Sequence, residues 1–257
     1  MAVSDQAPGT ASTGGGQPPG ADEGGLLLLD KPVGLSSNAA LQRVRRAYGG
    51  LKAGHTGTLD PLASGMLPIC LGEATKVAGE VLAGRKCYRF GLKLGERRST
   101  GDAEGEVVAT AAVPALTPES VRAALAAFSG AILQTPPMYS ALKRDGQPLY
   151  KLARAGQTVE REPREVTIER LELLALGADS IDCRVLCSKG TYVRVLGEDI
   201  ARRLGTEGFL QSLRREYVEP FTDFPMVSLE AVLAGPLPPL LAADLALPHL
   251  AVARLDP

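Results

Sequence analysis

After residue 25 the chain is built from short apolar blocks whose spacing predicts both strands and helices. Period-two alternation, or a short apolar run bounded by turn residues, predicts strands at residues 26–30, 88–94, 166–174 and 180–187. Capping residues followed by helical spacing predict helices at residues 36–48, 117–128 and 195–204. Because these strands and helices do not alternate regularly, the pattern favours an α+β fold over a doubly wound sheet.

Two stretches lack this pattern. Residues 1–25 are rich in Gly, Pro, Ala, Ser and Thr with almost no large apolar side chains, so we expect a disordered tail. Residues 134–165 form a long, polar and irregular stretch. A loop of that length inside a compact domain is usually functional or mobile.

The composition is that of a soluble globular protein with one large core or two modest ones. Hydrophobic residues make up 45% of the 257 residues, and neither a membrane-spanning run nor a signal peptide is visible. Of the four cysteines only Cys183 and Cys187 are close in sequence, and their spacing differs from that of zinc ribbons and redox motifs. They indicate reduced thiols in a cytoplasm and no metal site.

The formal net charge of −1 hides an asymmetry along the chain. Residues 31–98 contain twelve Lys or Arg against four Asp or Glu, whereas residues 219–257 contain five acids and one arginine. A polyanion responds to the local field rather than to the total charge, so the basic half is suited to a phosphate backbone. The solvated face of an ordinary enzyme would give the same counts.

The strongest candidate for chemistry is Asp60, within Gly-His-Thr-Gly-Thr-Leu-Asp-Pro-Leu-Ala-Ser-Gly at residues 54–65. The glycines and Pro61 favour a rigid loop. His55 and Thr58 add hydrogen-bonding groups near the carboxylate. The same residue types are typical of a structural turn, so the loop alone does not decide between the two interpretations.

Three further clusters offer partners for this carboxylate. Tyr88 lies between cations on a predicted strand, where it is either a platform for a base or an ordinary sheet residue. Arg194 ends a predicted strand-to-helix turn and either keeps a carboxylate ionised or forms a surface salt bridge. In Leu213-Arg214-Arg215 the leucine either closes an apolar wall while the arginines meet phosphates, or the residues belong to a helix surface.

Seven ordered blocks of the chain resemble the TruB family of tRNA pseudouridine synthases, over about residues 25 to 230. The blocks are Asp-Lys-Pro-Val-Gly-Leu-Ser-Ser at 30–37, the loop at 54–65, Gly-Glu-Ala-Thr-Lys at 72–76, Lys-Cys-Tyr-Arg-Phe at 86–90, Pro-Pro-Met-Tyr-Ser-Ala-Leu-Lys at 136–143, Ser-Lys-Gly-Thr-Tyr-Val-Arg at 188–194 and Leu-Arg-Arg at 213–215. Their order and spacing match as well.

The resemblance implies an isomerase that converts uridine 55 in the T loop of tRNA to pseudouridine without metal or organic cofactor. It implies a pseudouridine-synthase fold, in which helices and loops flank a central mixed, largely antiparallel sheet. The implied partner is the T arm of tRNA, with no membrane and no obligate protein partner.

The resemblance also assigns roles to single residues. Asp60 would be the catalytic aspartate, Tyr88 would stack on the flipped uracil and take part in proton transfer, and Arg194 would pair with Asp60. The residues expected to bind the substrate are His55, Tyr192, Leu213, Lys31, Thr58, Lys143, Arg144 and Arg154.

The implied domain organisation departs from the family pattern in places. Residues 26–230 would form the catalytic domain, with an RNA-clasping insertion near 134–165. Many members carry a C-terminal PUA domain, whereas residues 231–257 are expected to be only a short segment, too small for one. A Val-Glu-Pro-Phe sequence at 218–221 also replaces the family's usual glycine before Pro-Phe, which leaves the local turn open.

Other function classes fit the sequence less well. A hydrolase with Asp60 as nucleophile needs a second acid nearby, and we see none in a similar loop. A guide-dependent RNA pseudouridine synthase would share the same motifs. A tRNA-binding or tRNA-folding protein would keep the basic surface while Asp60 was dispensable.

Overall fold

A computed structural model describes residues 24–144 and 146–250 of the chain. The strands are β1 (Gly24–Lys31), β2 (Ala53–His55), β3 (Ala63–Gly72), β4 (Lys86–Leu94), β5 (Glu96–Arg98), β6 (Val107–Thr110), β7 (Gly130–Gln134), β8 (Lys143–Arg144), β9 (Gln147–Pro148), β10 (Arg164–Leu176), β11 (Ser180–Cys187), β12 (Gly208–Val218) and β13 (Val227–Ser228). The helices are α1 (Ser37–Ala47), α2 (Ala78–Ala83), α3 (Pro118–Ala126), α4 (Leu149–Arg154), α5 (Val193–Arg203) and α6 (Leu229–Ala234), with short 3-10 helices at Glu73–Val77 and Ala243–Ala246.

The described residues form one large mixed sheet and two small hairpins. The strand order of the large sheet is β13-β1-β3-β12-β4-β11-β10-β7, and β2 pairs with β3. Only the β1–β13 and β3–β12 pairs are parallel, and the other pairs are antiparallel. The predicted α+β class with a mixed, largely antiparallel sheet is therefore confirmed.

One face of the sheet carries the main hydrophobic core. Alternate residues of β4, among them Tyr88 and Phe90, pack there together with apolar residues of α1, α3 and α5. Strand periodicity places Arg89 and Arg214 on the opposite face, where they pair with Asp182 and Asp30. A second, smaller apolar cluster, which includes Leu26, Leu28 and Met66, packs on that same face beside the ion pairs.

The helices with capping residues and the strands with alternating polar and apolar residues were predicted from the local sequence. Ser36 caps α1 by accepting a hydrogen bond from the N–H of Ala39, and Thr117 forms a capping box at the start of α3. The predicted pair of strands at 166–174 and 180–187 is present as β10 and β11. Helix α5 begins at Val193, two residues earlier than expected, so Arg194 lies in its first turn rather than in the preceding loop.

Two central strands, β3 and β12, were not predicted from the sequence. β3 contains a proline and is buried on nearly all its residues, so it shows no alternation between polar and apolar positions. β12 has register shifts between Leu210 and Ser212 and between Arg215 and Tyr217, and such bulges interrupt the period-two pattern. Leu213 therefore lies on a strand, and the helix surface that we also considered for it is wrong.

Several other expectations are refined by the structure. The stretch 134–165 is not wholly irregular, because it contains the β8–β9 hairpin and α4. The predicted disordered tail at 1–25 lies outside the described residues, apart from two glycines that belong to β1. All four cysteines are buried and none forms a disulfide bond. Within the described part of the chain no helix is long and apolar enough to cross a membrane.

Candidate active site

Asp60 lies on the loop between β2 and β3, and this loop is anchored on both sides of the carboxylate. The Oγ atom of the buried Ser37, at the start of α1, accepts a hydrogen bond from the N–H of Leu59 at 2.8 Å and donates one to the carbonyl oxygen of Leu59 at 2.9 Å. The N–H of Gly34 donates to the carbonyl oxygen of Pro61 at 2.8 Å. The backbone that presents Asp60 is thus fixed by residues outside the loop.

Arg194 holds the Asp60 carboxylate from the first turn of α5. Its Nε atom lies 3.0 Å from Oδ2 of Asp60. Its Nη1 and Nη2 atoms donate to the carbonyl oxygens of Thr100 and Tyr139, each at 2.7 Å. Only 6% of the Arg194 side chain is exposed, so the guanidinium is locked in one orientation. The two residues that were expected to pair are therefore in contact.

The protonation of Asp60 reflects opposing influences. Burial raises the pKa of its carboxyl group above the usual range, and the negative charge of Asp102 adds to this effect. The positive charges of Arg194 and Lys31 lower the pKa and offset part of the increase. Since 36% of the Asp60 side chain is still exposed, the carboxylate is accessible to a ligand that enters from solvent.

A cleft of about 410 Å³ opens over Asp60. Tyr88 on β4 and Leu213 on β12 line it together with Tyr192, the residue that caps α5. Burial raises the pKa of the Tyr88 phenol, so the ring is neutral near pH 7. Thr58 lines the same cleft and is exposed. The cleft combines one carboxylate with aromatic and aliphatic surfaces that suit a planar ring.

Two predicted binding residues, His55 and Lys31, do not line the cleft. Burial lowers the pKa of the His55 imidazole, which is therefore neutral near pH 7. Lys31 is fully buried, and its Nζ atom donates to the carbonyl oxygens of Pro32 and Leu35. Burial lowers the pKa of Lys31 to about 8. The prediction of direct substrate contact by Lys31 does not fit this burial; its charge acts on Asp60 instead.

The predicted binding cations of the 134–165 stretch are exposed side chains outside the cleft lining. They are Lys143, Arg144 and Arg154, whereas residues 140–142 of the same stretch line the cleft. Arg144 donates to the carbonyl oxygen of Glu160 at 2.7 Å. Contact of Lys143, Arg144 and Arg154 with the substrate stays a prediction.

A second buried acid, Asp102, shares Arg194 with Asp60, so the expectation that no acid in a similar loop accompanies Asp60 was wrong. Oδ2 of Asp102 lies 3.9 Å from Nε of Arg194. Its Oδ1 atom accepts hydrogen bonds from Oγ1 of Thr100 at 2.5 Å and from the N–H of Glu104 at 3.1 Å. The turn-rich sequence at 99–105 was the available signal. Because Asp102 is 3% exposed and does not line the cleft, it offers no second acid to a hydrolase.

No group of three or more His, Cys, Asp or Glu side chains among residues 24–144 and 146–250 is arranged to hold a metal ion.

Comparison with known proteins agrees with this geometry. The family described as "TruB family pseudouridylate synthase (N terminal domain)" matches residues 45–193. The protein named tRNA pseudouridine synthase B of Burkholderia mallei (strain NCTC 10247) is 58% identical over 211 residues, which cover 82% of this chain and 70% of the relative. The protein of the same name from Stutzerimonas stutzeri (strain A1501) is 56% identical, with 82% and 69% covered.

Solved structures give the same result. A chain of a Cbf5-Nop10-Gar1 complex superposes with a TM-score of 0.64 at 27% identity, and an archaeal box H/ACA sRNP Nop10-Cbf5 complex with 0.62 at 26%. The alignments cover 82% and 83% of this chain but only 53% and 54% of those chains. Together with the family match, they confirm the resemblance seen in the motifs, and the chain belongs to the TruB family of pseudouridylate synthases.

Proposed function

We propose that this protein isomerises uridine 55 in the T loop of tRNA to pseudouridine. The observation that carries the proposal is the ionisable Asp60, held by the buried Arg194 at a cleft that Tyr88 also lines. The substrate is inferred from relatives named tRNA pseudouridine synthase B, with which the chain shares up to 58% of aligned residues. We expect such an enzyme to work in the cytoplasm.

Asp60 would supply the charge that the reaction needs. Isomerisation breaks the bond between N1 of uracil and C1′ of ribose, turns the base, and forms a bond between C5 and C1′. C5 then loses its proton to a base, and N1 ends with a proton. An ionised carboxylate beside the sugar can attack as a nucleophile or stabilise the positive charge that develops. Arg194 favours this ionised form because it carries the neighbouring positive charge.

The walls of the cleft would hold the base after it leaves the T loop. Extruding a nucleotide costs a few kcal/mol of lost stacking, which contacts with the protein must offset. Stacking on an aromatic side chain contributes about 1 to 3 kcal/mol per base, so Tyr88 can supply a large part. Leu213 and Tyr192 would exclude water and keep the detached uracil beside C1′.

Exposed cations would bind the phosphate backbone. The exposed Arg43, Arg45 and Arg46 of α1 and the nearby Lys52 form no ion pair with any residue that the structure describes. Together with the expected contacts of the 134–165 stretch, this surface supports a polyanionic partner. The predicted clasp remains part of the proposal.

The decisive experiment is tritium release from C5-labelled uridine in an unmodified T-arm stem-loop. Asp60→Asn keeps the size of the side chain but removes its charge, so we expect release to be abolished while affinity for the stem-loop changes little. Undiminished release by this variant would contradict the catalytic role of Asp60 and favour a tRNA-binding or tRNA-folding function. If the wild type modified RNA only when a guide RNA was added, the guide-dependent alternative would replace this proposal.

A further inference from the structure

Arg215 is a buried cation that has no role in the contacts between Asp60 and Arg194. Only 1% of its surface is exposed, and it lies in the middle of the sheet on β12. None of the ion pairs formed within residues 24–144 and 146–250 includes it. Burying a charge without an opposite charge is unfavourable, so the presence of Arg215 at this buried position needs a specific reason.

The hydrogen bonds of Arg215 connect the Asp60 loop to the sheet. Its Nη2 atom donates to the carbonyl oxygen of Gly57, three residues before Asp60, at 3.0 Å. Its Nε atom donates to the carbonyl oxygen of Met66 on β3 at 2.6 Å. The guanidinium therefore joins the backbone on the two sides of the catalytic carboxylate.

The same guanidinium faces Tyr88. Arg215 and Tyr88 are directly opposite each other in the antiparallel β12–β4 pair. The guanidinium carbon lies 6.0 Å from the centre of the Tyr88 ring, at the outer limit of a cation–π contact. Both side chains line the cleft.

Glycines make this close approach possible. A Cβ atom at Gly57 would lie 3.3 Å from Nη1 of Arg215, and the φ angle of Gly57 is +81°, which side chains disfavour. A Cβ atom at Gly65 would lie 2.1 Å from the carbonyl oxygen of Arg215, an impossible contact. The backbone of Arg215 thus requires glycine at position 65 on β3, and its guanidinium leaves little space for a side chain at Gly57 in the Asp60 loop.

We propose that Arg215 is a positioning residue for isomerisation, which fixes the loop that carries Asp60 against the strand that carries Tyr88 and presents an unpaired positive charge to the Tyr88 ring. It acts through these two residues and not on the substrate. The inference rests on the proposed function, since it concerns the geometry and the charge of that same site.

The charges around Tyr88 support this role. The phenol is faced by Arg215 from β12, by the Cys187 thiol from β11 and by Asp60 from the loop. Burial raises the pKa of Tyr88, and the positive charge of Arg215 opposes that increase. Without Arg215 the phenol would be still harder to ionise, which would impede its part in proton transfer.

The test compares Arg215→Gln and Arg215→Lys with Arg214→Gln and Arg214→Lys. Arg214 is the neighbouring arginine on β12, pairs with Asp30 at 2.8 Å on the opposite face, and does not line the cleft. Single-turnover tritium release, affinity for the T-arm stem-loop and thermal unfolding are measured for all four variants. We expect Arg215→Gln to release tritium roughly 100-fold more slowly, as for a misplaced catalytic group, with little change in affinity.

The pH profile separates positioning from a merely structural role. The acidic limb of the profile, which Asp60 sets, should stay in place in Arg215→Gln, and the alkaline limb, where the Tyr88 phenol ionises, should move to higher pH. Arg215→Lys keeps the charge and should show a smaller rate loss and an unshifted profile. If Arg215→Gln does not fold, the rate of Arg215→Lys is compared with that of Arg214→Lys. A lower rate in Arg215→Lys supports the inference, and equal rates contradict it. Wild-type rates in the Arg215 variants, rate losses equal to those of the Arg214 variants, or an unshifted profile in Arg215→Gln would overturn the inference. Failure of the wild type to modify the stem-loop would instead refute the proposed function.

Discussion

Arg194 sets the chemistry of the site because its single positive charge serves two carboxylates. Nε of Arg194 lies 3.0 Å from Asp60 and 3.9 Å from Asp102, and its remaining nitrogens are held by main-chain oxygens. Asp60 therefore shares its counter-ion with a neighbour of the same sign. This sharing, in addition to burial, accounts for the raised pKa of Asp60.

The raised pKa of Asp60 predicts an acid limit of activity above that of an ordinary aspartate. In the proposed mechanism the ionised carboxylate is the active form, so the rate should be lost as the pH falls through the raised pKa. Asp102→Asn removes one cause of the increase, so its acid limit should move to lower pH. Single-turnover rates measured from acidic to neutral pH check both statements. An acid limit that Asp102→Asn leaves in place would contradict this account.

Residues that carry a recognisable motif were predictable, and residues that support them were not. Asp60, Tyr88 and Arg194 lie in distinct sequence blocks, so their meeting in one cleft could be inferred from the family resemblance. Asp102 and Arg215 act through burial and hydrogen bonds that only the tertiary structure creates. Lys31 differs in the opposite way, because it was expected to bind the substrate and is fully buried.

At the scale of elements, α1 holds the loop that carries Asp60 in place. The apolar residues Ala40, Leu41 and Val44 pack this helix into the main core. Its first residue, Ser37, holds both backbone groups of Leu59. The position of Asp60 therefore depends on how firmly this helix is packed.

Two adjacent serines allow this dependence to be tested. Ser37→Ala leaves the N–H and C=O groups of Leu59 without their buried partner, which should cost about 1 to 3 kcal/mol of folding free energy and slow isomerisation. The control is Ser36→Ala, which loses the cap of the same helix at about 1 kcal/mol but does not touch the loop. Denaturant unfolding and single-turnover rates are compared. Equal effects of the two variants on the rate would contradict the inference that Ser37 positions Asp60 through Leu59.

Elements were predictable where one local rule applied, and they were missed where tertiary contacts replaced it. α1 and α3 have caps that identify their starts. β12 is a central strand with two bulges, and its sequence mixes buried and exposed residues without a period. Its assignment depends on the neighbouring strands β3 and β4, which no local pattern can supply.

At the scale of the whole molecule, the charge asymmetry is smaller than the sequence suggests. Of the twelve cations at residues 31–98, Lys31 and Lys86 are buried. Six others form ion pairs with Asp or Glu side chains, namely Lys76, Arg85, Arg89, Lys93, Arg97 and Arg98. The four cations that remain are the three arginines of α1 and Lys52. The basic half of the sequence therefore reduces to four exposed cations on α1 and shortly after it.

These exposed cations predict how tRNA binding depends on salt. Replacing Arg43, Arg45 and Arg46 by glutamine should weaken tRNA binding and reduce the slope of log affinity against log salt by about 2 to 3, because each lost phosphate contact removes nearly one unit. Exposed cations on other helices, replaced in Arg122→Gln with Arg203→Gln, provide the control. Fluorescence anisotropy at several salt concentrations measures the slopes. An unchanged slope in the α1 variant would show that the RNA does not reach this helix.

Tyr88 and Leu213 belong to the main hydrophobic core and also line the cleft. The surface that would receive uracil is therefore the outer layer of the same packing that holds the sheet together. Its side chains lose their conformational freedom when the chain folds, so a base that enters the cleft meets a wall already in place and little ordering remains to oppose binding. Selection for a stable core and selection for a fast enzyme consequently act on the same two side chains.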